Sequence, residues 1–117
     1  MEAPFIARHK DHWCLFVSFD FCCRGAKSRY NIRVGRSRAV TGPYVDRAGK
    51  PMAEGGGTLV IEVATPNWRG PGHNAMLQEP GGDCLVSHAC DGTNGRSHVT
   101  ISTMVWEDGW PRVAVLP

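Results

Sequence analysis

Helical periodicity is hard to find anywhere in these 117 residues, so an all-α fold has no support. No run of about 18 apolar residues occurs, and no segment reads as a membrane-spanning helix. No apolar core follows a charged start, so no signal region is visible and the compartment stays open. Charge of one sign is not concentrated: 13 basic against 11 acidic residues leave a net +2, with no stripe or block for nucleic acid. The five cysteines, at 14, 22, 23, 84 and 90, are odd in number and include no CxxC pair. That argues against a zinc site and against a disulfide framework. Cys22-Cys23 reads as two thiols or a vicinal disulfide, with free thiols preferred.

What is present is turn chemistry. Fourteen glycines and eight prolines suit short strands joined by tight connections. Strands are expected near Pro4–Ala7, Trp13–Phe19, Tyr30–Gly35 and Leu59–Val63, then near Ala75–Gln78, Cys84–Ala89, His98–Val105 and Arg112–Leu116. Between them lie CRGAKS, VTGPYVDRAGKP, Gly55-Gly56-Gly57, TPNWRGPG, EPGGD and DGTNGRS, all rich in turn-forming residues.

The chain also repeats itself. EAPFIARHKDHWCLFVS set against HNAMLQEPGGDCLVS places Glu2 opposite His73 and Phe5-Ile6 opposite Met76-Leu77. Cys14 to Ser18 then faces Cys84 to Ser87 with one residue dropped, and SRYNIRV from Ser28 faces SHVTIST from Ser97. The spacing drifts from 71 to 69, as turns of unequal length would produce. Two four-stranded meanders in series, over about 2–63 and 72–116, give the blade pattern of a β-propeller. A small sandwich is the runner-up, but it predicts no equivalence of inner strands. In a propeller, Glu2 and His73 point into one channel. Two blades do not close a ring, which takes about four or more. The expectation is therefore a C-terminal part of a larger domain, or a unit completed by another chain; Met1 to Phe5 enters a strand with no polar lead-in.

The motifs EAPFI, LFVSFDFCCRG, VGRS, TGPYVD, GKPM, GGGT, RGPGHN and DGWPRV, in that order, resemble the endo-1,5-α-L-arabinanases of glycoside hydrolase family 43. The likeness runs from Glu2 to about Val113. It implies a five-bladed β-propeller that hydrolyses α-1,5-arabinofuranosyl bonds of arabinan with inversion. Of the three carboxylates that such enzymes use, the general acid stands in the EAPF motif, here Glu2. The base and the aspartate that tunes the acid correspond to no motif in this chain, so the 117 residues alone are expected to be inactive. An inverting pair needs its carboxyls roughly 6.5–9.5 Å apart, with water between them. The resemblance places His73, in GPGHN, beside a central calcium that it touches through water, sensible chemistry for an imidazole and a hard cation. Arg24 and Trp68 are loop candidates for sugar contact. Without the family, Glu2 reads as a solvated terminal acid and Trp68 as packing between blades. His88 reads as a hydrogen-bonded packing residue and His9, His12 and His98 as surface, while Asp20 stays unassigned between a turn and the channel rim. The alternative functions are a non-catalytic arabino-oligosaccharide-binding or assembly module, and an inactive remnant.

Tyrosine is scarce where the resemblance expects it. His12, Cys14, Cys84, Ser87 and Cys90 stand in places where such blades carry aromatic rings, and each loss removes packing area from a buried site.

Overall fold

The computed structural model describes residues 1–20, 30–61 and 67–115, with the side chain of Val115 excepted. Eight strands form: β1 (Glu2–His9), β2 (His12–Phe19), β3 (Asn31–Ser37), β4 (Thr58–Ile61), β5 (Trp68–Glu79), β6 (Gly82–Asp91), β7 (Ser97–Glu107) and β8 (Trp110–Val115). They make two antiparallel meanders, β1-β2-β3-β4 and β5-β6-β7-β8. All eight expected strands are present. The expected ends at Val63 and Leu116 lie outside the described residues.

The largest departure is at β5, which begins at Trp68, seven residues before the expected Ala75. From sequence, TPNWRGPG reads as a connection because it holds Gly70 and Pro71. Both are absorbed into an edge strand at register shifts between Arg69 and Gly72 and between Gly72 and Ala75. Edge strands and bulges are where a sheet tolerates proline and positive φ.

The two sheets pack against each other. Ala7, Cys14, Phe16, Ile32 and Val34 of the first meet Met76, Leu85, Met104 and Trp110 of the second in one apolar cluster. Cys14, Phe16, Ile32, Val34 and Leu85 are fully buried. At the rim of the same contact, the His9 ring lies flat on Trp106, centroids 3.7 Å apart. Arg36 covers Trp110 at 4.5 Å, and Arg47 pairs with Asp108 at 3.0 Å. His9 is therefore part of the joint between the sheets. Cys14 and Cys84 are free thiols, and burial pushes Cys14 up to about 11. Cys22 and Cys23 lie outside the described residues.

Strand pairing corrects the spacing of the repeat. Ala7 opposes Cys14 and Leu77 opposes Cys84; Glu2 opposes Ser18 and Gly72 opposes His88. Every one of these equivalences is 70 residues, which makes Gly72 the counterpart of Glu2 and Ala3 that of His73. Ala3 and His73 share φ values of 51° and 50° inside matching bulges. The third strands are 67 apart rather than 69, since Cys14 opposes Arg36 and Cys84 opposes Thr103. The error has a physical origin. Stacked blades bury opposite faces, so Phe5 and Ala7 turn inward in β1 while Met76 turns inward in β5. Likeness of apolar residues alone therefore places an inner strand one residue out of register.

Between β3 and β4 the chain makes an excursion organised by Asp46. Its carboxylate accepts the backbone N–H groups of Ala48 (3.0 Å), Lys50 (2.8 Å) and Gly57 (3.0 Å). Those bonds hold its pKa below the ordinary aspartate value. Met52 is thereby laid over Gly35, where a Cβ would come within 2.3 Å of its sulfur. Asp46→Ala is expected to destabilise the protein by about 1–2 kcal/mol, measured by urea unfolding. The folded-state pKa is depressed, so this stability is complete above the unfolded value and is lost as pH falls below about 4.

Candidate active site

The start of β1 and the bulge of β5 meet over the end of β2. Pairing sets Glu2 opposite Ser18, a fully buried serine. The backbone N–H of His73 donates to Ser18 Oγ at 2.8 Å, from the neighbouring sheet. Glu2 and His73 thus converge on one residue, although they are not equivalent in the repeat. Both side chains are exposed.

Tyr30, just before β3, ties the group together. It is only 2% exposed, and its hydroxyl donates to Glu2 Oε1 at 2.5 Å. Its ring lies so close to the β5 backbone that a Cβ at Gly72 would fall 1.9 Å from Tyr30 Cδ2. His88 opposes Gly72 across β5 and β6 and stacks on Tyr30, with centroids 5.9 Å apart and planes 26° from parallel. The ring of His73 is 6.5 Å from that of His88.

Burial, then the hydrogen bond to Glu2, push the Tyr30 phenol up to about 12, with the Glu2 charge adding to them; Ser18 pulls the other way. Tyr30 therefore remains protonated, and a donor, through the neutral range. Burial and then the His73 imidazole hold His88 below the ordinary histidine value. A neutral His88 is the form compatible with its packing against a buried phenol. Among the described residues, His88 Nδ1 and both amide atoms of Asn74 are buried without a partner. His88 is thus a stacking residue whose ring nitrogen keeps hydrogen-bonding capacity, where the sequence suggested a satisfied one.

Other candidates separate from this group. Arg24 lies outside the described residues. Trp68 opens β5 opposite Asp91, and its ring meets His98 edge-on at 5.5 Å, five residues before His73. Asp20, left open between turn and rim, has φ 66° and accepts Asn31 Nδ2 at 2.7 Å, and Arg33 Nε donates to Asn31 Oδ1 at 3.0 Å. Tyr30 and Ser18 were missed altogether. The usable signal was Gly72 in GPGHN, a glycine in a strand marking close approach by another group.

Comparison with known proteins places this geometry. The family model of glycosyl hydrolases family 43 matches residues 1–111. The chain belongs to that family. It is 42% identical over 95% of its length to an extracellular endo-α-(1→5)-L-arabinanase of Bacillus subtilis, and 44% identical over 97% to an extracellular exo-α-(1→5)-L-arabinofuranosidase of Cellvibrio japonicus. It spans about a third (33%) of the length of each. Among solved structures, the Cellvibrio cellulosa α-L-arabinanase complexed with arabinohexaose superposes with a TM-score of 0.90 at 44% identity, covering 96% of this chain and 36% of that one. The family 43 endo-arabinanase from Bacillus licheniformis gives 0.87 at 44%, covering 95% and 38%. The two sheets of this family 43 chain are two four-stranded blades of a five-bladed β-propeller.

Proposed function

We propose that this chain forms the proton-donating part of a site that hydrolyses α-1,5-arabinofuranosyl bonds, with Glu2 as general acid. The observation that carries the reading is the carboxyl of Glu2, exposed yet held by a buried tyrosine, in a chain 44% identical to a protein solved with arabinohexaose. In the inverting reaction Glu2 gives its proton to the glycosidic oxygen as the bond from that oxygen to the anomeric carbon breaks. Water adds to that carbon from the opposite face and passes its proton to a carboxylate base. The base and the aspartate that tunes the acid match no motif of these two blades, so other blades or another chain supply them. The exposed Leu77, Val99 and Ile101 on the outer face of the second blade, and Ile6 on that of the first, favour neighbours stacked on both flanks.

Calcium enters this reading only as a hydrated ion. Among the described residues no three His, Cys, Asp or Glu side chains gather to cage a metal. A hard cation prefers six to eight oxygen ligands, so the exposed His73 imidazole fits contact through water and not direct ligation. When bound, the ion would add positive charge beside the sugar.

Calorimetry with arabinohexaose is expected to show saturable binding to the 117-residue chain, and none with xylohexaose. Equal binding of the two, or none of either, would sink the reading. Debranched arabinan is expected to be left intact by the isolated chain. Turnover that disappears in Glu2→Gln would place the base within these blades and overturn that part.

A further inference from the structure

The side chain of Glu2 is exposed. Exposure by itself orders no carboxyl. Tyr30 is the opposite case: it is enclosed on several sides by groups from both sheets. The Gly72 backbone lies against its ring, and His88 stacks on it. Ser18 and Glu2 act at its hydroxyl. Tyr30 is 2% exposed, and its hydroxyl donates to Glu2 Oε1.

We propose that Tyr30 is the positioning residue for the acid: by donating to Oε1 it fixes the carboxyl orientation and leaves Oε2 as the oxygen that carries the transferable proton. A carboxylic acid has one O–H and one carbonyl oxygen. An oxygen that already accepts from a phenol takes the carbonyl role, so the proton resides on the other. When Oε2 gives its proton to the leaving oxygen, Glu2 becomes a carboxylate. The bond from Tyr30 then becomes charge-assisted and strengthens. An interaction that grows as the proton departs favours the transition state over the bound substrate. Because the ring is clamped by Gly72 and His88 of the second blade, the aim of an acid on the first blade is set by the joint between blades. The role of Oε2 rests on the assignment of Glu2 as general acid; the positioning itself rests on geometry.

Nuclear magnetic resonance on the whole chain tests it without turnover. Wild type is expected to show a slowly exchanging downfield hydroxyl proton from Tyr30 and Glu2 γ-methylene couplings typical of one rotamer. The Tyr30→Phe variant keeps the ring, so its melting temperature should stay within about 5 °C, the effect of losing one hydrogen bond. Its Glu2 couplings should collapse to rotamer-averaged values. Glu2→Ala should abolish the hydroxyl signal, and Tyr44→Phe should leave it in place. Couplings unchanged in Tyr30→Phe, or a hydroxyl signal that survives Glu2→Ala, would overturn the proposal. If these signatures hold while arabinohexaose fails to bind, the hydrolytic reading fails and the positioning stands.

Discussion

One methyl group added at Gly72 is expected to lower the melting temperature by about 15 °C, equivalent to about 3 kcal/mol of overpacking in a small domain. The alanine Cβ would lie 1.9 Å from Tyr30 Cδ2, 2.4 Å from Cε2 and 2.7 Å from Cγ. Carbon atoms do not approach so closely, so either the tyrosine ring or the β5 backbone has to move. The ring has little room: it is 2% exposed, with His88 stacked on it. If β5 moves instead, the apolar contact of Met76 and Leu85 with Phe16 and Ile32 opens. The matched control is Gly81→Ala, where a Cβ meets nothing within 4 Å; its effect should stay within about 0.5 kcal/mol. Thermal unfolding followed by circular dichroism compares the two. Equal melting temperatures would show that the blades shift freely past one another and that the clamp on Tyr30 does not exist.

Phe16→Ala is expected to cost about 3–5 kcal/mol, measured by urea unfolding. Phe16 is wholly buried in the middle of β2, opposite Phe5 and Val34, and faces the second blade. Its removal deletes a ring and leaves a cavity that neighbours on a hydrogen-bonded sheet cannot collapse to fill. Small domains have about 5–15 kcal/mol in total, so a large fraction of the stability goes with it. Ile101→Ala provides the contrast. Ile101 is equally apolar but 61% exposed on the outer face of β7, and its loss should change little. A Phe16→Ala protein as stable as wild type would mean that the blades do not share the core described here.

The tyrosine losses look different once burial is known. Cys14, Ser87 and Cys90 are buried, whereas His12 and Cys84 are half-buried. Cys14 fills its place in the joint between blades, and Ser87 satisfies itself by bonding Thr100 across the β6–β7 pair at 3.0 Å. At these two positions the smaller side chain is packed or paired in the sheet that it occupies.

Strand existence was legible because it is a local property. Short apolar runs such as Trp13–Phe19, set between Asp11 and Asp20, leave few other conformations that satisfy both backbone and side chains. Two meanders of four strands followed directly, as did the family, since its motifs lie in order along the chain. The site was legible only in part. Glu2 and His73 were found through motifs, and their meeting at Ser18 was not visible in either strand alone.

What only the tertiary structure decided was which face of each strand is buried, and so which residues are true counterparts. The two blades stack front to back, so the same apolar alternation is read in opposite phase in β1 and β5, and hydrogen-bonded hairpins, not residue likeness, set the spacing at 70 residues between Ala7 and Leu77. Tyr30 followed the same rule. Its partners Glu2, Gly72 and His88 come from three other strands and both sheets, and contacts over such sequence distances leave no periodicity to read. Hydrogen bonding and turn propensity act between near neighbours and are written along the chain; burial is a property of two surfaces brought together, and it exists only once they meet.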